Sequence, residues 1–296
     1  MYGTNSSSTG IGVFGLTTAS TGSGEAVKGQ ANGSSGHGVA GYAAHVSGQT
    51  IGVYGQALSS HGTGVMGESK PTTSGYATFG VVGKAHGNLG TGVQAIADST
   101  IGATIGLQAT VTSASGTAGL FANAGLGNIL IGQSGPTRVF RVDGNGTVYA
   151  NGGLQSSGAD FAESIAVRGS RDSYQPGDVL AIDEAADRQV KLADEPYSTR
   201  VIGIYSTKPG TLSSTHPMDA PEFAQEIPVA VVGIVPCKVT AANGAIHRGD
   251  LLVSSSLPGY AMKATDRGHT AGAIVGKAMQ ELVEGEGRIE VLVTLE

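Results

Sequence analysis

Small and apolar residues follow one another in a fixed order over the first 122 residues of the chain. A Gly or Ala is followed by Val or Leu, one variable residue, and another Gly or Ala; this pattern occurs nine times, about every thirteen residues. Recurrence of one short motif predicts stacked copies of a single structural unit. The apolar positions are Val13, Val27, Val39, Val53, Val65, Val81, Val93, Leu107 and Leu120.

Each copy is predicted to form a short β-strand followed by a turn. Residues 51–56 and 64–68 alternate β-branched, aromatic or long side chains with glycine, and turns rich in Ser, Gly, Asn and Thr separate such runs. Glycine destabilises a helix interior by about 1 kcal/mol relative to Ala, whereas short strands between glycine turns are typical of solenoids. The sequence therefore predicts an elongated β-helical or β-solenoid shaft over residues 1–135.

A unit of thirteen residues is too short to enclose a core alone, because a strand rises only about 3.3 Å per residue. Two arrangements would supply the missing wall: two units per coil in a single-chain β-helix, or three chains wound around one another. The alternating spacings of 14 and 12 residues favour the single-chain coil. The flanking glycines favour three chains, since residues without Cβ let backbones approach a common axis. The interwound homotrimer is the preferred interpretation.

Composition narrows the function classes. The chain has 49 Gly, no Trp and only 5% aromatic residues, which is typical of repetitive structure rather than of an enzyme core. A net charge of −6 without any Lys or Arg cluster argues against nucleic-acid binding. The seven histidines lack metal-ligand spacing, and no nucleophile triad can be assembled. The sequence predicts no metal, no cofactor and no enzyme, apart from a self-cleavage candidate described below.

Three features of the sequence predict the compartment in which the chain folds and its relation to membranes. The longest apolar stretches, such as residues 227–235, are shorter than the roughly 18 residues that a membrane-spanning helix needs. The start, residues 1–5, lacks the basic and apolar regions of a secretion signal. The single cysteine, Cys237, cannot form an intrachain disulfide, which indicates folding in the reducing cytoplasm.

The composition changes after residue 135. Residues 139–142 and 147–150 are predicted to pair as a β-hairpin around Asp-Gly-Asn-Gly, which accepts positive φ, and residues 136–157 form a neck. From residue 158 to residue 296, charged residues become frequent, and strands such as residues 288–293 alternate with period two. This part is expected to be a globular β head, folded as a β-barrel or β-clip.

The head contains an internal pseudo-repeat. Residues 175–180 (Gln-Pro-Gly-Asp-Val-Leu) are echoed by residues 247–252 (His-Arg-Gly-Asp-Leu-Leu), and each reads as a turn followed by a strand. Two related β-hairpin modules are expected. The Arg248-Gly249-Asp250 tripeptide spells an integrin-binding motif, but its counterpart lacks the arginine, so its Gly and Asp are interpreted as ordinary turn residues.

The junction between neck and head resembles that of trimeric phage tail-fibre and neck-appendage proteins. Residues 140–146 (Phe-Arg-Val-Asp-Gly-Asn-Gly) lead through Asn-Gly-Gly to residues 158–163 (Gly-Ala-Asp-Phe-Ala-Glu). In that family a β-stranded shaft precedes a Gly-Ala-Asp-aromatic-Ala-Glu signature. The signature opens a C-terminal domain that acts as an intramolecular chaperone and sometimes as a self-cleaving protease. Similar ends occur on fibres of contractile injection systems. The resemblance covers residues 139–296.

The resemblance implies candidate residues for self-cleavage. Asp160 and Glu163 are the carboxylates, because a buried carboxylate held against a strained peptide can act as base or nucleophile. Ser157 would supply a hydroxyl near the scissile bond. The family usually has Tyr where this chain has Phe161, which removes one hydroxyl. In the alternative interpretation, Asp160 and Glu163 end strands or form ion pairs across the trimer.

The sequence thus predicts a structural and adhesive fibre protein of a phage tail or phage-tail-like injection particle. The expected partners are two further copies in a homotrimer, a baseplate or upstream fibre protein, and a host surface glycan or protein receptor. The expected location is the virion tail or an extracellular particle surface. Two alternatives stay open: an autoproteolytic intramolecular chaperone that registers the trimer, and a self-assembling surface filament subunit.

Receptor contact is expected in the head, since long loops on rigid scaffolds commonly bind ligands. Residues 208–226 are interpreted as the longest insertion without a strand. The candidate contacts are Thr211, Ser213, His216 and Met218.

Overall fold

A computed structural model of the 296-residue chain describes residues 3, 5–7, 10–18, 20–71, 77–217 and 219–294. The chain divides into two compact units, Met1–Ala118 and Gly119–Glu296. This boundary falls earlier than residue 135, where the change in composition ends the predicted shaft.

All regular structure in the described residues is β-strand or short 3-10 helix, which confirms the all-β prediction. No helix in this part of the chain has the length and apolar character that crossing a bilayer requires. The 3-10 helices are Arg171–Ser173, Pro221–Gln225, Ala241–Asn243 and Arg267–His269. The strands are β1 (Leu130–Ser134), β2 (Thr137–Val142), β3 (Val148–Ala150), β4 (Asp160–Val167), β5 (Val179–Ile182), β6 (Gln189–Leu192), β7 (Val201–Tyr205), β8 (Thr211–Ser213), β9 (Glu226–Thr240), β10 (Leu251–Ser254), β11 (Ala261–Lys263), β12 (Ile274–Ala278) and β13 (Glu286–Thr294).

The first unit repeats two kinds of turn in alternation. In one kind, a glycine N–H donates to the carbonyl three residues earlier, and these turns recur 26 or 28 residues apart at Gly36, Gly62, Gly90 and Gly116. In the other kind, glycines adopt positive φ, at Gly22, Gly48 and Gly102. The structural repeat therefore spans two sequence units. No strand is assigned to the described residues before β1, so the predicted β-helix or β-solenoid is not shown.

The repeated glycines bring consecutive units of one chain into contact. A Cβ at Gly41 would lie 2.3 Å from the Gly52 carbonyl oxygen, and one at Gly55 would lie 2.4 Å from the Gly64 oxygen. Only a residue without Cβ permits such an approach. The flanking glycines are predicted to allow close contact of three chains, whereas packing within one chain already requires them. The same contact recurs at Gly29, Gly67 and Gly83.

The second unit contains an antiparallel three-stranded sheet, β1-β2-β3, and a mixed ten-stranded sheet. The order in the larger sheet is β11-β10-β12-β13-β9-β7-β5-β6-β4-β8, and β9 pairs additionally with β4 and β11. These pairings form two circuits of five strands that share β9. We name β4-β6-β5-β7-β9 the first module and β9-β11-β10-β12-β13 the second module.

The prediction of a barrel is wrong, because the ten-stranded sheet does not close as one. Strand β9 has 15 residues and extends about 50 Å, too long to belong to one small circuit. Its first part pairs with β4 and β7, and its second part pairs with β11. The strand therefore passes from one module into the other.

The same kind of turn precedes β5 in the first module and β10 in the second module. Gly177 and Gly249 have φ values of 95° and 89°, which glycine adopts without strain. In the next position, the Asp178 and Asp250 carboxylates each accept a hydrogen bond of 2.7 Å from the backbone N–H three residues earlier. The Gly-Asp of the Arg-Gly-Asp tripeptide is thus a turn element, as the sequence analysis predicts.

The core is apolar and extends through both modules. The largest buried cluster includes Val179 and Ile204 of the first module, Val235 of β9, and Leu252 and Val275 of the second module. Burial of such side chains stabilises each by about 1.5–3 kcal/mol relative to exposure. A second cluster fills the interior of the first module, and a third lies against β10 and β11.

Gly203 and Gly276 lie where neighbouring strands of each module pack closely. A Cβ at either position would lie 2.2 Å from a backbone oxygen of the facing strand, that of Ala230 or Leu292. Because the strand cannot move away without breaking its pairing, we expect Gly276→Ala to lower the free energy of unfolding by about 2 kcal/mol or more, measured by urea denaturation. Gly152→Ala is the control, since its Cβ would meet nothing within 4 Å. Equal stability of the two variants would contradict the packing described here.

Candidate functional site

The backbone of the signature at residues 158–163 is held between two other glycines. A Cβ at Gly158 would lie 2.2 Å from the Gly210 nitrogen, and one at Gly233 would lie 2.6 Å from the Ala159 oxygen. The Gly210 N–H donates to the Asp160 carbonyl at 2.8 Å. Three backbone segments therefore cross here, and larger residues in the signature would collide with the neighbouring segments.

Asp160 is a buried carboxyl group with one unsatisfied oxygen. Its side chain is 7% exposed, and Oδ1 accepts a hydrogen bond of 3.0 Å from Ser206 Oγ. Oδ2 has no hydrogen-bond partner among the described residues. Burial raises the pKa of Asp160, and the Ser206 hydrogen bond offsets this only in part.

The three self-cleavage candidates do not meet. Successive strand residues point to opposite faces, so Asp160 and Glu163 lie on different faces of β4. Ser157 is exposed before the strand begins. No hydrogen bond or ion pair joins Ser157, Asp160 and Glu163 in the described part of the chain. Self-cleavage stays a prediction.

Glu163 lies at the rim of a cavity of about 430 Å³ in the first module, which we name the module-1 cavity. Its lining combines an apolar floor with a rim that carries one carboxylate and one guanidinium. The floor is formed by Ile165, Ile182, Val190 and Ile202, and the rim by Glu163, Arg188, Gln189 and Thr215. A concave apolar site with few polar groups is the usual form of a ligand-binding site.

The interpretation of residues 208–226 as an insertion without a strand is wrong. The segment contains β8 and the 3-10 helix Pro221–Gln225. In β8, Thr211 pairs with Phe161 and Ser213 pairs with Glu163, in parallel with β4. Pairing of this segment depends on a strand some fifty positions away, which the local pattern does not reveal. Met218 lies outside the described residues.

His216 is held against the sheet instead of projecting from a loop. Its Nε2 lies 3.0 Å from Oε1 of the buried Glu226, whose Oε2 accepts a hydrogen bond of 2.6 Å from Ser164 Oγ. The His216 ring also contacts the Phe223 ring edge-to-face at 6.2 Å. Because the carboxylate lies between the imidazole and the hydroxyl, the imidazole is not placed to take the serine proton as in a nucleophile triad.

Glu226, Ser164 and the module-1 cavity are not predicted from the sequence. Glu226 stands at the start of an apolar run and Ser164 within a strand, and neither position has a motif that marks it. Their proximity arises from the antiparallel pairing of β4 with β9. Within the described residues, no group of three or more His, Cys, Asp or Glu side chains is placed to hold a metal ion.

Comparisons with known proteins find a distant structural likeness. No protein-family model and no curated protein matches the chain. A crystal structure of the pre-mature bacteriophage phi29 gene product 12 matches with a TM-score of 0.39 and 12% sequence identity. The match covers 53% of this chain and 24% of that chain.

The raised pKa of Asp160 gives a pH dependence of stability with a defined sign. The folded state binds more protons than the unfolded state above the ordinary value of 3.8, so this carboxyl lowers the stability as pH rises through that window. We expect Asp160→Asn to gain melting temperature relative to the unsubstituted chain between about pH 3 and pH 7, measured by calorimetry.

Asp266→Asn is the matched control of opposite sign. The hydrogen bond with His269 lowers the pKa of Asp266, so its contribution is present above the ordinary value and is lost as pH falls. This variant should therefore lose melting temperature, relative to the unsubstituted chain, as pH rises. A pH-independent difference for Asp160→Asn would contradict the assignment of a raised pKa.

Proposed function

We propose that the chain is a structural and adhesive fibre protein of a phage tail or phage-tail-like injection particle and that it assembles as a homotrimer. The observation that carries the proposal is the exposure of the repeated Val and Leu residues. The nine apolar positions are 65% to 88% exposed, and every described residue up to Gly127 is exposed. Exposed apolar residues that recur over this length mark a surface suited to contact with a partner.

Copies of the same chain are the partner that fits best. The apolar positions recur about every thirteen residues, and an identical chain has the same spacings, so contacts between two copies would repeat along the whole length. Identical chains related by a rotation axis form a closed assembly. Three chains would each contribute one wall to a shared interior, which one unit of about thirteen residues is too short to enclose.

A head that assembles first would fix the alignment of the three chains. Slipping one repeat past another preserves most contacts, so the row alone leaves several registers nearly equal in energy. The head has an apolar face suited to this role: Phe161 of β4 pairs with Val232 of β9, Ile234 follows on the same face, and the three are 36% to 54% exposed.

The remaining parts of the proposal rest on the resemblance of residues 140–163 to the phage family. They are attachment to a baseplate or upstream fibre protein, contact of the head with a host surface glycan or protein, and a place on the virion tail or particle surface after folding in the cytoplasm. We propose no catalysis on other molecules and no cofactor.

Two alternative functions have specific support. Burial of Asp160, with one oxygen unsatisfied among the described residues, favours a self-cleaving intramolecular chaperone, because a raised pKa makes a carboxylate a stronger proton acceptor. The exposed apolar row also suits a self-assembling surface filament, in which copies add end to end.

The trimer is tested by the mass of the chain in solution. Light scattering should give three times the 29.5 kDa of one chain. Introducing Val53→Asp together with Val65→Asp places a carboxylate in each of two contacts, and we expect the trimer to dissociate at concentrations where the unsubstituted chain is intact. His61→Asp is the control, because His61 stands in the turn between these positions.

The other outcomes select among the functions. A stable monomer of the unsubstituted chain would exclude the interwound trimer. Polymers without a defined size would favour the filament. Two fragments that meet near residue 158 on a denaturing gel would favour the chaperone, and Asp160→Asn should then abolish the cut.

A further inference from the structure

The two modules correspond closely at the open ends of their hairpins. Strand β5 pairs with β6, and β10 pairs with β11, in the same antiparallel register. Just beyond these strands, the Ala193 N–H donates to the Val179 carbonyl at 2.9 Å, and the Ala264 N–H donates to the Leu251 carbonyl at 2.8 Å. Val179 therefore corresponds to Leu251, and Ala193 to Ala264. We name the space between the N–H of the first residue and the carbonyl of the second the first gap and the second gap, respectively.

The first gap is filled by a loop of the second module. The Val179 N–H donates to the Gly259 carbonyl at 2.9 Å, and the Gly259 N–H donates to the Ala193 carbonyl at 2.8 Å. Gly259 belongs to the loop between β10 and β11, residues 255–260, which we name the second hairpin loop. Val179 is fully buried. Two backbone hydrogen bonds thus join a hairpin loop of one module to the gap of the other.

The second gap is open. The Ala278 N–H donates to the Asp250 carbonyl at 2.9 Å. Because a trans peptide group directs its N–H opposite to its C=O, the Leu251 N–H points away from β12 and into the gap. Neither this N–H nor the Ala264 carbonyl has a hydrogen-bond partner among the described residues. Leu251 is 37% exposed, and the gap opens into a cavity of about 900 Å³, so a peptide group of another segment has access to it.

Arg188 is the counterpart of Gly259 in the first module. Residues 183–189 form the first hairpin loop, and in both loops the N–H of the first residue donates to the carbonyl of the last, at 2.9 Å and 3.0 Å. The residue before the last is Arg188 in one loop and Gly259 in the other, and both are left-handed, with φ of 53° and 79°. This conformation costs a non-glycine residue on the order of 1 kcal/mol. Arg188 is exposed, and its backbone forms no hydrogen bond with a described residue.

Asp250 leaves room for the side chain that Gly259 lacks. A Cβ at Gly259 would lie 2.8 Å from Asp178 Oδ1, which is too close. The Asp178 side chain is 3% exposed, whereas that of Asp250 is 23% exposed and has space to turn aside. Arg188 in the second gap would also bring a guanidinium next to the Asp250 carboxylate, which favours the contact.

The charges beside the loop and beside the gap are also complementary. Asp187 precedes Arg188 in the first hairpin loop, and Arg267 lines the cavity at the second gap. Neither Asp187 nor Arg267 forms an ion pair within the part of the chain that the structure describes. The cavity is lined by residues 249–270 of the second module alone, so the first hairpin loop of the same chain does not reach it. The loop that fits the gap must come from another copy.

We propose that the first hairpin loop of one copy inserts Arg188 into the second gap of a neighbouring copy. The Leu251 N–H donates to the Arg188 carbonyl, and the Arg188 N–H donates to the Ala264 carbonyl, as Gly259 does within one chain. Every copy offers one loop and one gap, so the contact is heterologous and closes into a ring. In the proposed trimer, on which this inference rests, contacts within chains would alternate with contacts between chains around the head.

A pair of cysteines tests which surfaces meet. Asp187→Cys places a thiol on the first hairpin loop, and Thr265→Cys places one in the lining of the second gap. The full chain with both substitutions is treated with a short bismaleimide and analysed on a denaturing gel. We expect covalent trimers, because each copy is linked to the next. The unsubstituted chain is the control and should stay unlinked, since Cys237 is buried and burial raises the pKa of its thiol.

A mixture of single variants identifies the heterologous arrangement. Asp187→Cys alone and Thr265→Cys alone should each give only single chains on the gel. When the two are produced together, we expect covalent dimers and nothing larger, because the loop of one variant meets the gap of the other. A link formed inside one chain would leave this mixture without dimers.

Substitutions of Arg188 test the backbone contact itself. In the chain with both cysteines, Arg188→Gly copies Gly259, removes the left-handed strain and should preserve or increase the yield of covalent trimers. Arg188→Pro removes the N–H donor and fixes φ near −65°, and it should lower the yield at least tenfold. The melting temperature of each variant verifies folding.

Light scattering of the same samples separates this proposal from that of the trimer. A trimeric mass without covalent links, or equal yields from Arg188→Gly and Arg188→Pro, would overturn the contact and leave the trimer standing. A monomeric mass would overturn both. Covalent rings with another number of copies would support the contact and contradict the trimer.

Discussion

The first unit buries no hydrophobic core among its described residues, and this is the constraint on which its proposed assembly depends. Its repeated Val and Leu residues are exposed, and its glycines are used to bring consecutive units together. A protein stabilised mainly by burial of apolar surface needs an interior, and this unit has none among its described residues. In the assembly proposed above, contacts between chains would supply that interior. The near-degenerate registers of a repeat also explain why a globular part would be needed to align the chains.

In the second unit, strand β9 is shared by the two modules. Each circuit therefore needs part of β9 to form its full pairing. Ion pairs hold the two turns: the partly exposed Asp250 contacts Lys263 of β11 at 2.8 Å, and the buried Asp178 contacts Lys238 of β9 at 2.7 Å. Removing Lys238 would leave the buried Asp178 carboxylate without its partner, which is strongly destabilising.

The equivalence of the modules makes their differences informative. Backbone groups of Glu195 and Ser198 bond to Ser254 at the end of β10, whereas the corresponding Ile182 at the end of β5 is exposed and lines the module-1 cavity. The signature at residues 158–163 includes the start of β4, and its side chains lie on both faces of this strand. Asp160 is turned into the buried side, and Glu163 reaches the rim of the cavity. A motif noticed for its likeness to a cleavage site is thus also a packing element and part of a candidate binding site.

Local patterns in the sequence by themselves determined the all-β class, the period of the first unit and the turns at Gly177 and Gly249. These features depend on alternation and on backbone conformation, which neighbouring residues set. Only the tertiary structure decided that β9 is shared, that residues 211–213 form a strand beside β4, and that Ser164, His216 and Glu226 meet. Each of these joins residues far apart in the chain. Their contacts are selected by the packing of the whole sheet, and no short pattern records that selection.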